Sequence, residues 1–245
     1  LLIARPSAAP SAIVLSLHGS TSTPHRQMLL SRMAALSDQG ALVAFPQGSR
    51  PARSGWEWDL QADVIYLDAV VGHLRENFGA GTAPLCVNGM SGGARMASRY
   101  SCEGAAAVSV LGAVAGLRSP TPGRLAHRVR VLAFHGTRDR LNPYGGGSTA
   151  RWRESVPAAA AAWAAANGHD QPPLQTTVTA ALSRFSYGAG DDPGAVTLWV
   201  CEGAGHTWPG TRLGRLARMF LGRVSYEVDA TREIALALAD PSSGA

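Results

Sequence analysis

The chain has 245 residues, 46% apolar and 16% charged, enough for one large domain with a full core and too apolar for a disordered segment. No apolar run is long enough to span a membrane; the longest, around residues 105–117, is interrupted by Gly112 and Gly116. The net charge of +5 comes entirely from arginine, and apart from Arg212, Arg215, Arg218 and Arg223 the arginines are scattered, which argues against a nucleic-acid interface.

The opening stretch, LLIARPSAAPSAIV, reads as a strand start and lacks the basic n-region and sustained apolar core of a signal peptide. The expectation is that a leader was removed ahead of it. A strand is predicted over 13–17, ending in LHGSTSTPH, and an amphipathic helix over 27–40, with apolar residues at three- and four-residue spacing. A strand at 42–45 follows, then the tryptophan-bearing SGWEWDL, which holds Trp56 and Trp58, and a helix over 62–78. The strand at 85–88 runs into NGMSGGAR, with a helix beyond it. Strands at 107–114 and 129–134 come next, the second ending in FHGTRDRLNPYGGG. A helix over 156–168 has proline near its first turn and Asn-Gly at its end. The strand at 196–201 leads into EGAGHTWPG, and a helix at about 229–239 closes the series. This alternation predicts an α/β fold, a mostly parallel sheet flanked by helices, in one domain over 1–245.

In such sheets ligands bind beyond the carboxyl ends of the strands. Four of the predicted strands end there in polar loops. Gly89-Met90-Ser91-Gly92-Gly93 fits G-x-S-x-G between a strand and a helix, where a sharp turn presents a serine hydroxyl and neighbouring side chains must be absent. A serine is inert without a base and an orienting carboxylate, which follow it in the order acid, then histidine. His169 and His206 are the histidines that satisfy this order. His206 lies in a loop directly after a strand, whereas His169 follows a helix end. Asp139, in the loop after 129–134, is the candidate acid; Asp191 and Asp192 sit in a Pro/Gly turn suited to local capping. His18 and His135 precede glycines at strand ends and are expected to shape backbone. The N–H groups of Ser20 and Gly92 would form an oxyanion hole. Trp208 and Trp56, with Trp58, are candidates to line a substrate pocket. The three cysteines, Cys86, Cys102 and Cys201, have no metal-type spacing, and neither metal nor organic cofactor is required.

The pieces VLSLHGSTSTP, NGMSGGARMASRYSCE, FHGTRDRLNPYGGG, SVPAAAAAWAAANG and CEGAGHTWPG, in that order, resemble the secreted polyhydroxybutyrate depolymerase-like and feruloyl-esterase-like α/β-hydrolases. The resemblance implies an α/β-hydrolase fold and a serine esterase with Ser91, Asp139 and His206 as its triad. It also implies a secreted or periplasmic monomer acting on polyester or on feruloyl or acetyl esters of polysaccharide. A non-catalytic polysaccharide- or polyester-binding module and an acyltransferase are the alternatives. Two departures stand out. The family's paired cysteines are replaced near His169 and Tyr187, which suggests that this disulfide is absent. The stretch TRLGRLARMFLGR is unusually basic and apolar, read as a solvated helix or as a flap at 209–224 over the site.

Overall fold

The computed structural model describes residues 1–149, 152–212 and 215–240. In chain order the elements are β1 (Leu2–Ala4), β2 (Ala12–Leu17), α1 (Pro24–Ser31), a 3₁₀ segment (Met33–Gln39), β3 (Ala41–Phe45), β4 (Arg50–Ala52), β5 (Gly55–Glu57) and α2 (Ala62–Asn77). Then come β6 (Leu85–Met90), α3 (Gly92–Glu103), β7 (Val110–Val114), β8 (Arg130–Gly136), α4 (Val156–Ala166), β9 (Leu174–Thr179), β10 (Leu182–Tyr187), β11 (Val196–Cys201), α5 (Arg215–Leu221) and α6 (Ala230–Ala239).

One sheet carries the order β1-β3-β2-β6-β7-β8-β11-β10-β9. The stretch from β3 to β11 is parallel, and antiparallel strands close both edges. Both faces of the sheet are covered, so β2 and β6 are buried along their whole length and are mostly apolar, broken by Ser16 and Asn88, where the Ser16 hydroxyl donates to the Asn88 side-chain oxygen. Within β2, Ile13, Leu15 and Leu17 join the core under α2, α3 and α4, which includes Leu67, Ala97 and Trp163. Ala12 and Val14 point the other way, to a second core with Met33, Leu36 and Ile234. This three-layer build holds the carboxyl ends of six adjacent parallel strands along one rim.

Two sequence expectations are corrected, and one hairpin is added. The helix at 27–40 is two pieces. α1 starts earlier, at Pro24, with the Thr23 hydroxyl accepting the Arg26 N–H, and stops at Arg32, whose φ of 56° is left-handed. The following 3₁₀ turns bring Met33 and Leu36, three residues apart, onto the core. The strand at 107–114 is shorter, Val110–Val114. The β9–β10 hairpin adds to the predicted elements: its first strand, LQTTVT, buries no residue and turns its alternating Leu174 and Val178 to solvent.

Candidate active site

The sheet places each candidate loop at the same rim. β6 ends in a sharp turn at Ser91, whose backbone is held at φ 55° and ψ −111°. This conformation is strained for a residue with a side chain. The Ser91 N–H donates to the Val114 carbonyl at the end of β7, and the Ser91 carbonyl accepts the Arg95 N–H as α3 begins. The turn is possible only because its neighbours lack side chains. A Cβ on Gly89 would lie 2.5 Å from the Gly93 carbonyl carbon, and one on Gly93 would lie 2.1 Å from the Leu17 oxygen. Ser91→Gly is therefore expected to be more stable than Ser91→Ala by about 1–3 kcal/mol, because glycine relieves the strain that alanine keeps. Thermal unfolding of the two variants checks this, and equal midpoints would deny that the turn is strained.

Asp139 and His206 meet across neighbouring loops after β8 and β11. His206 Nδ1 is 2.7 Å from Asp139 Oδ2, and both residues are buried. An ionised carboxylate only accepts, so Nδ1 carries the proton and Nε2 is left with its lone pair. The other carboxylate oxygen accepts the N–H groups of Leu141 and Asn142, which locks the acid in its own loop. That loop is also tied toward Ser91: Asn142 Nδ2 donates to the Ala115 carbonyl, one residue beyond the Val114 that holds Ser91. The Ser91 hydroxyl and His206 are not hydrogen-bonded to each other in this structure. Such bonds are commonly long before substrate arrives.

The basic segment supports the histidine loop. The Leu221 carbonyl at the end of α5 accepts the His206 N–H at 2.7 Å, and the Arg223 carbonyl accepts from Gly205 and from the Thr207 hydroxyl. Residues 213 and 214 of this segment lie outside the described residues. Asp192 occupies the opposite end of the sheet. Its carboxylate accepts the Gly194 N–H and pairs with Arg128, while its carbonyl accepts from Arg130 at the start of β8. His169 lies 3.8 Å from that carboxylate and packs on Gly188, next to Tyr187. Cys86, Cys102 and Cys201 are free and buried. Burial pushes the Cys86 thiol up to about 12 and the Cys201 thiol up to about 11, so neither is a ready thiolate.

Ser20 and Gly92 are in close contact. A Cβ on Gly92 would sit 2.5 Å from the Ser20 hydroxyl oxygen and 2.8 Å from the Ser20 nitrogen, so the lack of a side chain lets the two backbones approach. Gly92 opens α3, where N–H groups have no intrahelical acceptor and the helix end favours negative charge. His18 braces the Ser20 loop: its Nε2 accepts the Gly48 N–H, and its Nδ1 then donates to the Gly19 carbonyl. Burial holds its pKa below the ordinary value, so it stays neutral in this role. His135 does the same for the acid loop, with Nε2 2.8 Å from the Asn142 carbonyl and its pKa also lowered by burial.

A cleft of about 680 Å³ opens beside this turn, lined by Ser20, Trp58, Gly92, Arg95, Arg99 and Arg118 among others. Here the aromatic expectations need correction. Trp208 is fully buried, and its Nε1 donates to the Thr231 hydroxyl, which in turn donates to the Ser31 carbonyl. It belongs to the core beneath the histidine loop. Trp56 is half-buried in the β4–β5 hairpin and does not line the cleft. Trp58 does, with its Nε1 fixed on the His18 carbonyl at 2.7 Å. Sequence reasoning also passed over Arg95, Arg99 and Arg118, which only the fold brings together.

No protein-family model matches the chain, and no curated protein matches it by sequence. Solved structures do. An acetyl xylan esterase from Aspergillus awamori superposes with a TM-score of 0.65 at 19% identity, covering 90% of this chain and 92% of its own. Esterase PE8 superposes with a TM-score of 0.57 at 20% identity, covering 84% and 90%. The chain has the α/β-hydrolase fold. Ser91 stands at the sharp strand–turn–helix corner between β6 and α3 of this fold.

Proposed function

We propose that the protein is a serine esterase that hydrolyses carboxylic esters through Ser91, His206 and Asp139. The observation that carries this reading is the buried 2.7 Å His206–Asp139 pair, held on loops beside the strained Ser91 turn. Ser91 attacks the ester carbonyl while His206 Nε2 takes its proton. Asp139 keeps the imidazole tautomer and stabilises the imidazolium. The N–H groups of Ser20 and Gly92 receive the oxyanion. His206 then protonates the leaving alcohol, and water releases the acyl group by the same path. Acyl groups suited to this reading are 3-hydroxybutyrate oligomers and feruloyl or acetyl groups on polysaccharide; the fold shared with an acetyl xylan esterase supports including the last. The resemblance supports a secreted or periplasmic place for it.

A panel of hydroxybutyrate oligomers, methyl ferulate, acetylated xylan and p-nitrophenyl esters tests the proposal, with Ser91→Ala as blank. At least one ester is expected to turn over, with loss of about 10³-fold or more in Ser91→Ala. Water is expected to outcompete added alcohol as acceptor. Turnover that survives intact in Ser91→Ala would reject the assignment, and preferential transfer to alcohol would mark an acyltransferase.

A further inference from the structure

The cleft beside Ser91 is lined by more positive charge than a neutral ester calls for. One wall comes from α3 and the segment after β7. Arg95 and Arg99 stand one helical turn apart on α3, and so face the same way. Arg118 joins them, its backbone N–H on the Ser98 hydroxyl and its guanidinium 4.1 Å from the centre of the Trp152 ring. Arg95 Nη2 donates to the Ser20 hydroxyl at 3.1 Å, which puts a positive charge at the edge of the proposed oxyanion hole. Arg99 is oriented by Glu103, whose second oxygen accepts from Thr121. Glu154 stands by the same wall, bonded to Ser119.

The other wall comes from the hairpin and the start of α2, and supplies Arg50, Glu57 and Asp59. Glu57 lies opposite Arg50 in the β4–β5 register. The Asp59 carboxylate is engaged by the N–H groups of Gln61 and Ala62, which hold its pKa low. The capped Asp59 keeps its charge and Glu103 forms an ion pair with Arg99, yet the residues lining the cleft include four arginines against two carboxylates, and three of the guanidinium groups share the wall next to the Ser91 turn. Guanidinium is the side chain best matched to a carboxylate, offering paired donors in a planar fork.

We propose that this cleft is a carboxylate subsite, and that the preferred substrate is an ester bearing a second, ionised acid group held by Arg95, Arg99 and Arg118. The proposal rests on the serine-esterase reading. The acid can lie on the acyl or on the alcohol side of the ester, and two substrate pairs separate these cases. Monomethyl glutarate against dimethyl glutarate probes the acyl side. 3-Acetoxypropanoate against its methyl ester probes the alcohol side.

In at least one pair the acid is expected to show a kcat/KM about tenfold or more above its neutral partner, with the ratio shrinking as salt is raised. In an Arg99→Gln, Arg118→Gln double variant the ratio should approach one. Equal constants within both wild-type pairs overturn the proposal, whether or not the variant folds, as does a ratio that the folded variant leaves unaltered. Calorimetric binding of the two acids to Ser91→Ala separates this claim from the esterase reading. Arginine-dependent binding without turnover in the wild type upholds the subsite and removes the esterase. Turnover without acid preference does the reverse.

Discussion

Asp139→Asn is expected to lower kcat for ester hydrolysis by at least about 10²-fold while leaving the fold nearly intact. In another serine hydrolase the corresponding change costs about 10⁴. The geometry gives the reason. Asp139 accepts from His206 Nδ1 at 2.7 Å and from two backbone N–H groups through its other oxygen. Asparagine can keep the backbone bonds with its carbonyl, which preserves the loop. It then turns an amide donor toward Nδ1 and favours the tautomer with the proton on Nε2, where a general base cannot use it. It also offers no charge to stabilise the imidazolium. Asp191→Asn is the control and is expected to leave kcat within about threefold, as surface changes away from a site do. The measurement is kcat with a p-nitrophenyl ester, alongside thermal unfolding. Normal turnover in Asp139→Asn with collapse in Asp191→Asn would show that the acid loop has been misassigned.

Gly93→Ala is expected to cost more than the roughly 1–3 kcal/mol of ordinary overpacking. Its Cβ would lie 2.1 Å from the Leu17 oxygen and 2.7 Å from the His18 oxygen, and backbone cannot rotate away as a side chain can. Relief requires α3 to move off the end of β2. That movement separates Gly92 from Ser20 and disturbs the Ser91 turn, so activity and stability should fall together. A melting temperature lowered by more than about 6 °C is expected for a chain of this size. Gly72→Ala in α2, where nothing lies within 4 Å of the added methyl, is the contrast and is expected to be neutral or slightly stabilising. A Gly93→Ala melting point within 2 °C of the wild type, by the same about 2–4 °C per kcal/mol scale, would mean that the close approach is not a constraint.

The sheet was legible because its central strands are buried on both faces, so 13–17 and 85–88 stand out as mostly apolar runs despite Ser16 and Asn88. Its edge was not. β9 is exposed on both sides, at Leu174 and Val178 on one and at Gln175 and Thr177 on the other, so its alternation marks no buried face. The break at Arg32 was equally silent, since no glycine or proline signals a left-handed residue there. Within the candidate site, loop order was enough to put Asp139 and His206 in one neighbourhood, because order along the sheet dictates which loops adjoin. Side-chain direction was beyond its reach. Trp208 is two residues from His206, yet it points into the core between α1 and α6. The arginine wall was hidden for a related reason. Arg50, Arg95, Arg99 and Arg118 look scattered along the chain, and only the folded rim gathers them into one cleft.

The central claim is that Ser91 is a nucleophile activated in place, and covalent labelling tests it most directly. The full chain is treated with a serine-directed fluorophosphonate, digested, and mapped by mass spectrometry while ester turnover is followed in parallel. The account predicts a single adduct, on Ser91, with activity lost in proportion to labelling and no adduct in Ser91→Ala. An adduct on a different serine, or full turnover once Ser91 is modified, would contradict it.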